Sequence, residues 1–195
     1  MREAFELETA PCNSFNDFPI RLVSEDWLKD YEKTGKGWLQ ILSGSMSPLI
    51  EKGDRILVGR TALSAIHVGD IITYQDQNVL VTHRVVRKET RKGTLFFIGR
   101  GDCYSGRSRV DSKAVIGKVR QIEKDGRRIN LESTIWRLFN KIICAFFYVA
   151  CFTSSAGNRL AFAPGSKFVV HKIYQTGGYL LRKQIEIMAN HYKRD

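Results

Sequence analysis

The stretch "LSGSMSPLIEKGDRILVG", residues 42–59, contains the end of one strand, a turn of small polar residues and the start of the next strand. Gly53 and Asp54 are turn residues, and the Ile, Leu and Val that follow are typical of a strand. The first turn raises a question about function, because a plain hairpin does not need two serines around Gly44. It is either an exposed polar turn or a turn that presents the hydroxyl of Ser45 to a substrate.

Strand-like segments continue on both sides of this stretch, from Trp38 to Leu131. They are rich in Ile, Val, Leu, Thr and aromatic residues: "WLQILS", "DRILVG", "DIITYQ", "VLVTHRVVR", "TLFFIG", "AVIGKVRQI" and "RRINL". Turn sequences such as "EKGD", "HVGD" and "KDGR" separate them. This spacing predicts a mainly β fold, a compact antiparallel β domain.

A short helix is predicted before the β domain. Ser24 is a candidate N-cap, and Trp27, Leu28 and Tyr31 fall on one helical face before two glycines end the helix. The sequence therefore divides into three parts. These are an irregular arm (1–19) and this helix within residues 1–37, the β domain at 38–131, and a basic, partly apolar helical extension at 132–195.

The net charge of +11 is spread unevenly. Residues 1–34 contain eight acidic and four basic side chains, which gives −4 and leaves +15 for the remainder. Residues 133–195 contain nine basic and two acidic side chains, which gives +7. A basic surface attracts phosphates, either of nucleic acid or of anionic lipids, and charge alone does not choose between them.

The extension begins with an apolar stretch in which Ser133 is a candidate N-cap. Its strongest run, Ile142 to Phe152, is well short of the roughly 20 residues that cross a bilayer. Residues 136–152 either lie in a lipid interface, with Arg137 and Lys141 at the headgroups, or pack on the β domain or a partner. A breaker-rich loop at 154–166 and a second helix at 178–195 are predicted to follow.

No targeting signal or cofactor motif is evident. The opening "MREAFELETAPC" is acidic and lacks the apolar run of a secretory signal. The cysteines, which are scattered without CxxC pairs, predict neither a zinc site nor a disulfide framework: Cys12, Cys103, Cys144 and Cys151. We expect no cofactor and no metal. The location of the protein stays open between the cytoplasm and the periphery of a membrane.

Three residues of the β domain could do chemistry together. A serine such as Ser45 is a poor nucleophile until a base takes its proton. His83 lies in "VLVTHRVV", where alternation puts it on one face with Val81 and Val85. It is either a buried histidine satisfied by a carbonyl or a general base. Asp102 in "GRGD" either caps its turn or orients an imidazole.

Together, "SGSMSPLIEKGDRILV", "VGDIITYQ", "VTHRVV", "GRGD" and "VIGKV" resemble the sequence boxes of type I signal peptidases, the S26 serine endopeptidases. The similarity is to the endoplasmic-reticulum and archaeal-type branch, in which the general base is a histidine within T-H-R-V. It runs from about Leu39 to Val119. The resemblance implies a signal-peptidase/LexA-like β fold and a serine endopeptidase that cleaves a leader or signal segment after small residues.

The resemblance also implies a role for each matching residue. Ser45 is the nucleophile, His83 the general base and Asp102 the acidic partner. The backbone N–H of Ser45 and the hydroxyl of Ser43 form the oxyanion hole. Met46 lines the substrate groove. The partner that this site implies is a peptide or a precursor protein.

The sequence departs from the family at three places. Tyr104 and Ser105 stand where asparagines are usual, and Asp111 either replaces the family's second acid or caps the next strand. The acidic partner is therefore open between Asp102 and Asp111. The family's N-terminal transmembrane anchor is missing from this sequence. Residues 133–195 do not align to the family and provide a possible contact with an anionic membrane surface or a partner protein.

Two other functions compete with the peptidase. One is a self-cleaving repressor-like domain, but such domains pair serine with lysine and carry a DNA-binding helix-turn-helix. Here His83 stands in the lysine position and one helix precedes Trp38, so nucleic acid is a disfavoured partner. The other is a non-catalytic binding module that uses the basic surface.

Overall fold

A computed structural model of the chain describes residues 25–77, 79–103 and 106–145. Several predictions lie outside these ranges. They concern the arm at 1–19, the N-cap Ser24, the departure from the family at residues 104 and 105, the apolar run beyond residue 145, the loop at 154–166 and the helix at 178–195.

Within the described residues, eight strands form one antiparallel sheet: β1 Lys36–Gln40, β2 Arg55–Gly59, β3 Ile71–Asp76, β4 Val79–Arg91, β5 Thr94–Arg100, β6 Arg107–Asp111, β7 Val115–Lys124 and β8 Arg127–Asn130. Their order in the sheet is β1-β2-β7-β3-β4-β5-β6, and β8 pairs with β7. The predicted mainly β, antiparallel fold is confirmed. The division of the chain into three parts stays a prediction.

Each of the seven predicted strands is present, and β6 is an additional one. The sequence of β6, "RSRVD", has a single apolar residue, Val110, which is its one buried side chain. It lies at the edge of the sheet and buries one side chain only, so hydrophobic alternation does not reveal it. β1 lies earlier than predicted, because Lys36 already pairs with Gly59 while the chain leaves the sheet after Gln40.

Helix α1, Glu25–Thr34, packs on the sheet through two aromatic rings. Trp27 and Tyr31 stack with their ring centroids 4.9 Å apart, and the Tyr31 hydroxyl donates to a main-chain carbonyl at the start of β7. Leu28 was expected on the same face but is 40% exposed, because it lies about 100° around the helix from Trp27. Gly35, at φ 67°, ends the helix by donating its N–H to the Tyr31 carbonyl.

The sheet has a hydrophobic cluster on each side, and neighbouring residues of β3 belong to different clusters. Ile71 belongs to the larger one, with the residues that follow β1 and with part of the C-terminal region. Ile72 belongs to the smaller one, with Tyr74 and residues from the neighbouring strands and loops: Ile66, Val85, Phe97 and Val110. The residues of the candidate site belong to β4, to the loop after β5 and to the turn between β1 and β2.

Residues 134–145 form a helix, α2, whose first turn is capped as predicted. The Oγ of Ser133 accepts from the Trp136 N–H at 3.4 Å. Trp136 and Ile143 are fully buried in the larger cluster. The sequence left open whether this segment lies in a lipid interface or packs on protein. One face of its described part packs on the β domain. No helix in the described ranges is long and apolar enough to cross a membrane.

Candidate active site

The turn that carries Ser45 packs on the protein interior through two buried side chains, Met46 and Leu49. The Ser47 N–H donates to the Gly44 carbonyl at 2.9 Å, and Met46 and Leu49 are 2% and 1% exposed. Ser45 itself is half-buried. Met46, predicted to line a substrate groove, packs in the larger cluster, and its contact with a substrate stays a prediction.

Ser43 lies in the extended segment just before this turn. Its residue is exposed, as expected for a hydroxyl that could reach a bound carbonyl. Its part in an oxyanion hole stays a prediction. Both serines are thus at least partly accessible to solvent, whereas Met46 and Leu49 are buried.

Two glycines at the end of β5 bring the Ser45 turn and His83 to one place. A Cβ on Gly101 would lie 2.6 Å from the Ser45 carbonyl oxygen, and a Cβ on Gly99 would lie 3.3 Å from the His83 Cβ. Ser45 and His83 thus lie close to two glycines that are two residues apart in the chain. No hydrogen bond joins the Ser45 hydroxyl to His83 Nε2 in the described structure. The two glycines of "IGRGD" are the sequence signal for this close approach, but glycines near the end of a strand are also ordinary turn residues.

His83 lies on β4 opposite Ile72 and is 5% exposed. Its Nδ1 is 3.1 Å from the Tyr74 hydroxyl, and its Nε2 is buried without a hydrogen-bond partner among the described residues. The Tyr74 oxygen can accept from Nδ1–H, which leaves the Nε2 lone pair available. Tyr74 was not singled out from the sequence; in the β3–β4 ladder it pairs with Val81, two residue pairs from His83.

The charge state of His83 follows from its surroundings. Burial lowers the pKa of His83 below the ordinary value of 6.5, while the negative charges of Asp102 and Asp76 act in the opposite direction. Burial also raises the pKa of Tyr74, so its hydroxyl keeps its proton. The imidazole is therefore neutral at neutral pH, which is the state that a general base requires.

Asp102 binds Arg84 through both of its carboxylate oxygens. Arg84 Nε donates to Oδ1 at 2.8 Å and Nη2 donates to Oδ2 at 2.6 Å, and the two side chains are 0% and 1% exposed. Arg84 follows His83 in β4 and points to the other face of the strand. Asp102 thus acts on His83 by its charge, and its hydrogen bonds fix the arginine. Its catalytic role stays a prediction.

Asp111, the other candidate acid, caps the turn that follows β6. Its Oδ1 accepts from the Lys113 N–H at 2.9 Å. This contact corresponds to the capping role, which was one of the two roles that the sequence left open for Asp111. Of the two carboxylates that act to raise the pKa of His83, Asp102 has a larger effect than Asp76.

The loop after β5 also contacts the Ser45 turn directly. The Cys103 N–H donates to the Ser45 carbonyl at 3.0 Å. The residue next to Asp102 is therefore bonded to the residue predicted to be the nucleophile. This backbone contact could not be read from the sequence, since the two positions are separated by four strands.

The fold and these contacts define a candidate serine hydrolase site on an antiparallel β domain. No protein-family model matches the chain. The chain is 32% identical over 91 residues to the signal peptidase complex catalytic subunit SEC11 of Fusarium vanettenii, covering 40% of this chain and 53% of that protein. It is 42% identical over 64 residues to signal peptidase I W of Bacillus subtilis, covering 32% and 34%.

A SEC11 subunit from Colletotrichum graminicola is 33% identical over 69 residues, covering 34% of this chain and 40% of that protein. The predicted resemblance to type I signal peptidases is confirmed by these similarities. The match spans about half the length of the Fusarium protein and a smaller share of the other two.

Proposed function

We propose that this protein is a serine endopeptidase that cleaves a leader or signal segment after small residues. Ser45 is the nucleophile and His83 the general base. The observation that carries the proposal is the buried His83: its Nε2 has no hydrogen-bond partner among the described residues, and its Cβ lies close to Gly99, two residues before the Gly101 that lies close to Ser45. The homologues, which are named signal peptidases, support the same reaction class.

The reaction proceeds in two halves. His83 Nε2 takes the proton of Ser45 Oγ as Oγ bonds to the substrate carbonyl carbon, and the resulting oxyanion accepts from the Ser45 N–H and the Ser43 hydroxyl. The imidazolium then protonates the leaving amine as the peptide bond breaks. Water, deprotonated by the same imidazole, hydrolyses the acyl-enzyme and restores Ser45. Asp102 favours the imidazolium formed in each half through its charge.

A place for an extended substrate lies beside His83. The pairing of β4 with β5 begins at Arg84 and Arg100, so in the described structure residues 79–83 of β4 pair with β3 alone. Their other edge can hydrogen-bond to an added strand, as in β-strand addition. Such a strand would carry its scissile bond past His83 toward the Ser45 turn.

The first test is cleavage of a library of small-residue peptides by the purified protein across a pH series. Because burial lowers the pKa of His83 below 6.5, kcat/KM should rise with a midpoint below that value and reach a plateau by neutral pH. Below the midpoint the imidazole is protonated and cannot take the serine proton. His83→Ala should remove this rise together with the activity.

A rate that increases only above pH 8 would contradict histidine as the base and would favour a group of higher pKa. Complete absence of turnover by the parent protein on every peptide would favour the alternative, a binding module of the same fold. Cleavage of the protein's own chain without turnover of added peptides would favour the repressor-like alternative.

We further infer that α2 contacts an anionic lipid surface. Ile135, Leu138 and Ile142 are 59%, 62% and 53% exposed along one side of the helix, and the exposed Arg137 and Lys141 lie next to them. An apolar stripe bordered by cations is typical of a helix that lies in a membrane interface. The net charge of +11 adds long-range attraction to anionic headgroups.

Flotation with vesicles checks this contact. The protein should float with phosphatidylserine-containing vesicles and much less with neutral phosphatidylcholine vesicles. The triple variant Ile135→Ser, Leu138→Ser and Ile142→Ser should bind about tenfold more weakly or worse, because it removes most of the apolar area that enters the lipid. Leu63→Ser, at another exposed leucine, is the matched control.

Equal flotation of the parent and the triple variant would contradict the assignment of this face to lipid. A triple variant that loses a stable dimer or a co-purifying protein, with no change in flotation, would assign the face to a protein partner instead.

A further inference from the structure

We propose that Asn140 of α2 is a positioning residue for the candidate active site and acts through Arg84 and Asp102. The inference rests on the proposed peptidase function. It concerns a residue of the helical extension, beyond the segment of about 39–119 that resembles signal peptidases. It assigns to the extension a role in holding the site.

The side chain of Asn140 completes the hydrogen bonds of a buried charge. Arg84 Nη1 donates to Asn140 Oδ1 at 2.5 Å and to the Gly69 carbonyl at 3.1 Å, in addition to the two bonds with Asp102. Four of the five N–H donors of a guanidinium group are thereby used. Because Arg84 is 0% and Asn140 5% exposed, solvent does not readily replace a lost acceptor.

The orientation of this guanidinium affects both halves of the candidate site. Arg84 follows His83 in β4, so a rotation of its side chain and backbone is transmitted to the imidazole. Its bidentate bond holds Asp102, and the next residue, Cys103, donates its N–H to the Ser45 carbonyl. Asn140 is therefore connected to the base through one residue and to the nucleophile turn through three.

Asn140 is itself held firmly. A Cβ on Gly69 would lie 3.3 Å from the Asn140 carbonyl oxygen, so the loop before β3 packs closely on α2. One turn further along, the Cys144 thiol is 3.6 Å from the Val85 carbonyl of β4. With Trp136 and Ile143 buried in the larger cluster, α2 presents Asn140 to Arg84 from a fixed position.

The test compares three variants in steady-state kinetics well below their melting temperatures. Asn140→Leu keeps a similar volume but removes the acceptor, and kcat should fall about 10- to 100-fold with KM within about twofold, as expected when catalytic groups are displaced by a fraction of an ångström to 1 Å. Asn140→Asp keeps an oxygen toward Nη1 and should recover most of this loss. Thr134→Ala, at an exposed residue of the same helix, should leave kcat unchanged.

The ring resonances of His83 in NMR spectra give a readout that needs no turnover. They should move in Asn140→Leu and stay in place in Thr134→Ala. A purely structural role predicts a lower melting temperature for Asn140→Leu with unchanged kcat and unchanged His83 resonances, and that result would overturn the proposal. If Ser45→Ala retains full turnover, the proposed function fails instead, while the His83 resonances still decide whether Asn140 is coupled to the site.

Discussion

Replacing Ser45 by alanine should reduce peptide cleavage by about 10⁴-fold or more, because removal of the nucleophile of a serine hydrolase leaves only binding and oxyanion stabilisation. Ser45 is half-buried above the anchored turn, and its backbone carbonyl is held by the Cys103 N–H, so alanine keeps the turn in place. The measurement is kcat for the best peptide from the library, with the melting temperature measured in parallel. The variant should retain peptide affinity, since the hydroxyl contributes to chemistry rather than to strand addition.

Ser47→Ala is the matched control for this experiment. Ser47 lies two residues away in the same turn, and its N–H bond to the Gly44 carbonyl does not need its side chain. Its variant should keep kcat within about threefold of the parent, a small effect on the scale of a lost catalytic group. A Ser45→Ala protein that cleaves as well as Ser47→Ala would rule out Ser45 as the nucleophile.

Replacing Asp102 by alanine should lower the free energy of unfolding by about 3–5 kcal/mol, because it leaves the charge of Arg84 buried without its partner. Both side chains are essentially inaccessible to solvent, and the carboxylate accepts two of the guanidinium hydrogen bonds. The effect is measured by chemical denaturation at neutral pH. Breaking the exposed Arg87–Glu89 ion pair by Arg87→Ala should lower the free energy of unfolding by no more than about 1 kcal/mol, since Arg87 is 71% exposed.

A double variant separates the buried charge from the rest of the network. Arg84→Met combined with Asp102→Leu removes both charges and should be more stable than Asp102→Ala alone. Recovery should be incomplete, because the Gly69 carbonyl and the Asn140 amide oxygen lose the donor they share. If Asp102→Ala changes stability by less than the Arg87→Ala control, the Arg84–Asp102 pair does not hold the site together.

The predictable part of the candidate site depended on local patterns. The alternation in "VLVTHRVV" placed His83 on one face with Val81 and Val85, and the structure puts its ring beside Tyr74 of the smaller cluster. The turn around Ser45 was identifiable from its small residues, as was the capping role open to Asp111. What these patterns could not supply is the partner of each polar atom, which is set by contacts between residues distant in sequence.

Asp102 shows this limit most clearly. Its position after an apolar strand was compatible with bonding to an imidazole, yet both of its oxygens bind Arg84, 18 residues earlier in the chain. The alternation rule had put Arg84 on the face away from His83, but it gave no reason to expect a fully buried guanidinium there. The loop after β5 and α2 supply the acceptors that allow this burial.

The sequence by itself determined that this protein has an antiparallel β domain with flanking helices, because strand and turn propensities act over a few residues and need no distant partner. It also pointed to a serine, a histidine and two candidate acids. Only the tertiary structure decided that His83 is a buried, neutral imidazole whose Nε2 has no partner among the described residues, and that Asn140 shares Arg84 with Asp102. Burial and hydrogen-bond geometry depend on how strands and helix pack together, and no local sequence pattern contains that information.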